Sequence, residues 1–217
     1  NPEHNRNGKG LPGLEVLADA DVAIFYMRFL ALPEEQLAHI EKYVTSGKPV
    51  IGLRTSTHAF YYPKKDPRSK WNDGFGRDVL GSRYYIHLQG QTTVEHVPDQ
   101  KGNILLNGVP ARFIDPGTLY KVELPEDAVP LLNGTGRARK TGTITNRFGT
   151  HQIEAEMTWP VAWTWTNTFG GRTFATTLGH RESFELPALN RLLVNAIHWA
   201  VDRPVDIARE KAAVARK

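Results

Sequence analysis

The sequence contains no cysteine among its 217 residues and no long apolar run. Without a thiol, the chain forms no disulfide, offers no thiolate metal ligand and has no cysteine nucleophile. Its longest purely apolar run, residues 22–27, is much shorter than the roughly 18 residues that a membrane-spanning helix needs. The sequence therefore predicts no membrane partner and excludes every cysteine-dependent reaction.

The charge is nearly balanced, with 27 basic and 23 acidic residues and a formal net charge of +4. No basic stripe with interleaved aromatic residues is present, so we predict no nucleic-acid partner. Residues 203–217 are expected to form a solvated basic tail. With 40% hydrophobic residues, the chain is long enough to bury a core as one domain spanning residues 1–217.

The first half of the chain carries the pattern of a strand, a helix and a second strand. Residues 22–27 predict a buried strand, and a helix is expected to begin at Pro33 and to stop at Gly47. The segment 48–54 predicts a second buried strand, which completes a βαβ unit. A parallel sheet is the expected scaffold.

The middle of the chain predicts β-rich elaboration of the same domain. Residues 61–78 are rich in Pro, Lys, Asp and Gly and predict a long loop. Four short strands are expected after it, at 83–88, 92–97, 119–124 and 129–132.

The last third predicts a hairpin followed by a helix. Residues 161–166 and 172–178 read as two strands around the turn at 167–171, and a helix is expected at about 186–201. Because Trp163 and Trp165 alternate with polar or small residues, they share one face of their strand, and we expect that face to be buried.

Charged and polar residues directly follow three of these strands. Ligands bind at the carboxyl ends of strands in parallel α/β sheets, so these positions form a candidate site. Arg28 follows the first strand, Arg54 to His58 follow the second, and His180 and Glu182 follow the late strand. A carboxylate two residues from a histidine can orient the imidazole, although the same pair also occurs where a strand simply ends and a helical segment begins.

Several blocks of the sequence resemble the ThuA-like (trehalose utilisation) family, in particular its planctomycete-type branch. The similar blocks are residues 13–28, 32–36, 47–60, 160–182 and 190–199. The resemblance implies a flavodoxin-like, class I glutamine amidotransferase-like three-layer α/β sandwich with β-rich insertions. It also implies a strand–helix unit ahead of residue 22, which we expect to be missing from this chain, and a small-molecule carbohydrate as partner.

The resemblance places Arg54 where amidotransferases carry their nucleophilic cysteine, and His180 and Glu182 at their His-x-Glu motif. Glutaminase chemistry is excluded because the chain has no cysteine. We expect instead proton transfer on a keto-sugar or a glycoside, carried out by His180, Glu182 and His58. The residues expected to bind the substrate are Arg28, Arg54, Thr55, Thr57, His87 and Gln89.

Three alternatives stay open at this point. The chain could be a catalytically silent carbohydrate-binding or assembly module on an amidotransferase-like fold. His58, His180 and Glu182 could instead hold a divalent metal, although the sequence requires no cofactor. Nearby aromatic residues offer faces for a sugar ring or simply pack the loop, namely Tyr61, Tyr62, Trp71 and Phe75. Compartment and oligomeric state, including self-association, are not predicted.

Overall fold

The computed structural model describes residues 10–203, and most of the predicted basic tail lies outside the described residues. The structure has eleven strands within this range. They are β1 (Ala23–Phe25), β2 (Val50–Leu53), β3 (His87–Leu88), β4 (Thr92–His96), β5 (Arg112–Asp115), β6 (Leu119–Tyr120), β7 (Val129–Arg137), β8 (Gly142–Asn146), β9 (Gly149–Ile153), β10 (Glu156–Thr166) and β11 (Arg172–Thr176). The helices are α1 (Glu34–Thr45), α2 (Trp71–Gly74) and α3 (Pro187–Ala200). None of the helices in residues 10–203 is both long and apolar enough to cross a membrane.

Seven strands form the main sheet in the order β1-β2-β11-β10-β7-β4-β5. The strands β1, β2 and β11 are mutually parallel, and the remaining pairs are antiparallel. The predicted βαβ unit and α/β class are confirmed, but the expectation of a parallel sheet is wrong beyond β11. Short connections such as the turn between β10 and β11 can return a strand only antiparallel, whereas the helical crossover α1 allows a parallel return.

Helices cover both faces of the parallel part of the sheet. On one face, α1 packs Leu37, Ile40 and Val44 into a core cluster with Phe25. On the other face, α3 contributes to a second cluster that contains Ile51 and Phe174; its members there are Leu189, Leu192, Ala196 and Ala200. The result is the expected three-layer arrangement of helix, sheet and helix.

The segment 61–78, expected as a loop, is partly helical. A 3-10 turn at Pro67–Lys70 runs into α2 and then into a π-helical turn at Phe75–Val79. The side chain of Asp66 caps this segment by accepting a hydrogen bond of 2.9 Å from the Arg68 amide. Trp71, Phe75 and Val79, spaced by four residues, are buried together in the core. This periodicity stabilises the helical turns in spite of the polar composition.

Of the middle strands, β4, β5 and β7 extend the main sheet, whereas β3 and β6 pair with each other in a separate two-stranded sheet. The structure adds β5 and a separate two-stranded hairpin of β8 and β9, neither of which the sequence predicted. The predicted hairpin of β10 and β11 and the final helix are confirmed. Trp163 is fully buried and Trp165 partly buried against the same cluster, so the expectation for their shared face is also confirmed.

Candidate functional site

The chain turns sharply at Arg54, directly after β2. Arg54 adopts a left-handed backbone conformation with φ 41° and opens the 3-10 turn Arg54–His58. A non-glycine residue rarely has a positive φ, and such backbone strain is concentrated at functional sites. Because Leu53 pairs with Thr176 of β11, this turn lies beside the segment that carries His180.

The Arg54 side chain crosses to that neighbouring segment and is almost fully buried, at 5% exposure. Its Nη1 donates to the Thr177 carbonyl at 3.1 Å, and its Nη2 donates to Thr118 Oγ1 at 2.9 Å. The guanidinium also lies over the Tyr120 ring, 4.7 Å from its centroid. These contacts fix the orientation of the Arg54 guanidinium group.

Gly117 is the point at which three side chains of the site meet. The position that a Cβ would occupy on Gly117 lies 2.7 Å from Asp115 Oδ1, 2.8 Å from Arg54 Nη1 and 2.9 Å from His180 Cβ. The Gly117 amide donates to Asp115 Oδ1 at 2.7 Å. Only glycine leaves room for these three side chains to approach one another. Arg54 and His180 therefore lie close together, as their positions after neighbouring strands predicted.

His180 and Glu182 form a pair at the mouth of this cluster. His180 Nδ1 is in contact with Glu182 Oε2, and about half of each side chain is exposed. Hydrogen bonding to its own backbone amide lowers the pKa of Glu182, and the neighbouring His180 lowers it further. The carboxylate is therefore ionised at neutral pH and can accept a hydrogen bond from Nδ1–H, the tautomer in which His180 Nε2 is the proton-accepting nitrogen.

His58 is buried in an aromatic cage in the same region. Its ring centroid lies 4.9 Å from that of Phe29 and 4.7 Å from that of Tyr84. Burial lowers the pKa of His58 to about 3, and the nearby Arg28 and Arg147 add to this effect. His58 is therefore neutral near pH 7 and suits hydrogen bonding better than the proton-transfer role expected from the sequence.

The two threonines of the turn differ in their surroundings. Thr57 Oγ1 donates to the Arg54 carbonyl at 3.1 Å and lies 3.2 Å from His58 Nδ1. Its hydroxyl thus positions the turn and the imidazole instead of pointing to a ligand. Thr55 is partly exposed in the same turn.

His87 and Gln89 reach the site through Tyr84 and Tyr120. His87 Nδ1 lies 2.6 Å from the Tyr84 hydroxyl, and the His87 ring is 5.7 Å from that of Tyr120. Burial lowers the pKa of His87, and Arg54 adds to the effect. Gln89 Nε2 lies 2.8 Å from His87 Nε2, but Gln89 itself is exposed and lines a separate polar cleft of about 630 Å³ over β4 and β7.

Three of the four aromatic residues that could face a sugar ring or pack the loop belong to the core. Tyr62, Trp71 and Phe75 are 3%, 7% and 0% exposed, so they cannot offer a face to a sugar. Tyr61 is exposed and lies 5.9 Å from the Phe29 ring. The loop composition suggested exposure, but the helical turns bury these rings.

Sequence reasoning missed Tyr84, Tyr120, Asp115 and Arg147. Tyr84 and Tyr120 line the site with rings 5.2 Å apart, and burial raises the pKa of Tyr84 to about 12. Asp115 is fully buried beside Gly117. Arg147 lies in the turn between β8 and β9. Reasoning from the ends of the parallel strands could not reveal these four residues, because none of them directly follows β1, β2 or β11 along the chain.

The alternative that His58, His180 and Glu182 together hold a divalent metal gains no support from the structure. Within residues 10–203, no group of three or more histidine, aspartate or glutamate side chains is arranged to hold a metal ion. His58, in its arginine-rich cage, is the member of the proposed set least suited to a cation.

A comparison with protein-family models gives a match over residues 5–200 to a family described as trehalose utilisation, ThuA. The chain belongs to the ThuA family. Membership of this family supports a carbohydrate-related role. A search of curated proteins found no match.

Solved structures similar to this ThuA chain share its fold at low sequence identity. A ThuA-like protein from Parabacteroides merdae has 16% identity and a TM-score of 0.61, with 88% of this chain and 73% of that chain covered. One from Bacteroides uniformis has 20% identity and a TM-score of 0.58, with the same coverage of both chains. A cytoplasmic protein from Salmonella typhimurium has 13% identity and a TM-score of 0.55, covering 88% of this chain and 76% of that chain. The amidotransferase-like fold expected from the sequence is thereby confirmed.

Proposed function

We propose that this ThuA protein carries out proton transfer on a keto-sugar or a glycoside, without a cysteine nucleophile. The observation that carries the proposal is the convergence of Arg54 and His180 around Gly117, with His180 paired to Glu182. A fixed guanidinium, a half-exposed imidazole and an ionised carboxylate are the groups that such a reaction needs. The partner is a small-molecule carbohydrate, consistent with the family.

In this mechanism Arg54 binds an oxygen of the sugar. Two of its N–H groups are used by Thr177 and Thr118, and the guanidinium has five in all, so donors remain for a ligand. His180 Nε2 takes a proton from the carbon beside a sugar carbonyl, and the electron pair of that C–H bond moves toward the carbonyl oxygen. The charge that develops on this oxygen is stabilised by Arg54, and Glu182 stabilises the imidazolium.

One observation favours a second candidate, a catalytically silent carbohydrate-binding module. The strained position after β2 carries Arg54, whose guanidinium is tied to the protein at both ends of its fork. An arginine cannot serve as the nucleophile or as its base at this position. A site built in this way could bind a sugar and leave it unchanged.

The deciding experiment compares turnover of a 3-keto-disaccharide with binding of the parent sugar over a range of pH. We expect His180→Ala to lower turnover by about 10²- to 10⁴-fold, the value of one positioned proton-transfer group. Glu182→Gln is expected to lower turnover as well, because His180 would lose the carboxylate that contacts its Nδ1 and orients the imidazole.

His39→Ala on α1 is the control, and we expect it to change neither turnover nor binding. All three variants should melt close to the wild type, because His180 and Glu182 are about half exposed. Full turnover by His180→Ala would remove the case for this mechanism. Binding of the parent sugar without turnover at any pH would establish the silent module instead.

A further inference from the structure

Two exposed arginines from distant parts of the chain flank one aromatic ring at the edge of the site. The Cζ atom of Arg28, just after β1, lies 5.2 Å from the centroid of the Phe29 ring. The Cζ atom of Arg147, in the turn between β8 and β9, lies 5.9 Å from the same centroid. Phe29 itself has a left-handed backbone, with φ 51°, a strained conformation of the kind that is concentrated at functional sites.

The β8–β9 turn is anchored, so the position of Arg147 is defined. Asn146 Nδ2 donates to the Tyr85 carbonyl at 2.9 Å, and Asn146 Oδ1 accepts from the Phe148 amide at 2.7 Å. The Phe148 ring packs against Tyr84, with centroids 5.4 Å apart. These contacts hold the hairpin tip against the wall of the site.

The charges around these arginines are not compensated by carboxylates. Arg28, Arg54, Arg147 and His87 each lower the pKa of His58, so every charged neighbour that acts on this imidazole is basic. None of the three guanidinium groups has a carboxylate oxygen within 4 Å in residues 10–203.

The acidic groups nearby do not pair with Arg28 or Arg147. Asp115 is buried next to Arg54, where its Oδ1 accepts from the Gly117 amide and its Oδ2 has no hydrogen-bond partner among the described residues, and Glu182 is paired with His180. Arg147 also lines a cavity of about 500 Å³ beside Tyr61. Asp73, the carboxylate on the wall of that cavity, is paired with Arg83 at 3.3 Å.

We propose that Arg28 and Arg147 bind the acidic group, carboxylate or phosphate, of a sugar whose neutral oxygens lie toward Arg54 and His180. This inference rests on the proposed function and adds the class of substrate. Guanidinium groups bind carboxylates and phosphates through two parallel N–H donors, and an anion between two like charges offsets their repulsion.

The test is titration calorimetry of the whole chain with glucose, glucuronate, glucose 6-phosphate and inorganic phosphate. We expect at least one acidic sugar to bind about tenfold or more tightly than glucose, which is the value of one charged hydrogen-bonding contact. Tighter binding of glucuronate would identify the acidic group as a carboxylate, and tighter binding of glucose 6-phosphate would identify it as a phosphate. Its affinity should fall when salt is raised, since the two arginines are exposed.

Arg147→Gln and Arg28→Gln should each lower the affinity for the acidic sugar about tenfold and leave the affinity for glucose unchanged. Arg139→Gln is the matched control, because Arg139 is an exposed arginine just before β8, away from the hairpin tip. Equal binding of glucose and both acidic sugars, or no effect of Arg147→Gln, would overturn this inference and leave the proton-transfer proposal standing. Phosphate binding as tightly as the acidic sugars would also overturn it, and a failure to bind any sugar would overturn the proposed function itself.

Discussion

Trp163 and Trp165 provide a matched pair for testing how the main sheet is held together. Both lie on β10, two residues apart, on the same face and against the same core cluster. Trp163 is fully buried, and its Nε1 donates to the Leu80 carbonyl at 2.7 Å. Trp165 is only partly buried, and its Nε1 donates to Asp127 at 2.9 Å in an exposed position. The pair therefore differs in burial, both of the ring and of the group that accepts the Nε1 hydrogen bond.

The expected cost of Trp163→Ala follows from these two contacts. Removing a fully buried tryptophan costs about 3–5 kcal/mol, and an unpaired Leu80 carbonyl adds about 1 kcal/mol or more. For a chain of this size, a loss of about 4–6 kcal/mol corresponds to a fall in Tm of roughly 10–20 °C. Trp165→Ala should cost only about 1–2 kcal/mol, because water already reaches part of the ring and can replace the lost hydrogen bond.

The assay is urea denaturation followed by circular dichroism, with both variants and the wild type measured at pH 7. Trp163→Phe is included in case Trp163→Ala does not fold; it keeps most of the packing and loses the hydrogen bond, so about 1–3 kcal/mol is expected. Equal midpoints for the two alanine variants would refute the reasoning. A midpoint of Trp163→Phe equal to that of the wild type would show that the Leu80 contact contributes nothing.

Two further outcomes follow from the site. Gly117→Ala should abolish turnover and destabilise by about 1–3 kcal/mol, because its Cβ would fall within 3 Å of Arg54, Asp115 and His180. Gly74→Ala, whose Cβ would meet nothing nearer than 3.4 Å, is the control that should keep full activity. The free energy of unfolding should also fall by at most about 1.4 kcal/mol per pH unit as the pH drops from about 6.5 towards 3. The reason is that His58 binds a proton in the unfolded chain over this range but stays neutral in the folded protein, where its pKa is about 3. Acid titration of His58→Gln should give a shallower fall, and an unchanged slope would contradict the assignment.

The parts of the fold that the sequence predicts are those with local signals. The continuous apolar run at β1, the helical spacing of α1 and the turn between β10 and β11 each depend on neighbours within a few residues. The strands β5, β8 and β9 gave no such signal, because residues along them are mostly exposed and polar. The pairing of these three strands depends on tertiary contacts with parts of the chain that are distant in sequence.

The same division applies to the candidate site. Arg54 and His180 follow buried strands, so the geometry of a parallel sheet was enough to predict that they meet. Arg147 follows no strand of the main sheet, and it reaches Phe29 only because Asn146 anchors its turn on Tyr85. The burial of His58 among basic side chains likewise results from tertiary packing and changes its chemistry from that of an ordinary histidine.

The pairing of β2 with β11 has a consequence for how the chain acquires its site during synthesis. The hydrogen bond from Arg54 to the Thr177 carbonyl joins residues 123 positions apart. A ribosome must therefore make most of the domain before Arg54 can find its partner, and the closure of so long a loop slows folding. Until β11 has been synthesised, the edge of β2 that pairs with it is unpaired and the Arg54 side chain is exposed to solvent. We expect the partly made chain to be most prone to aggregation, and most dependent on chaperones, at this stage.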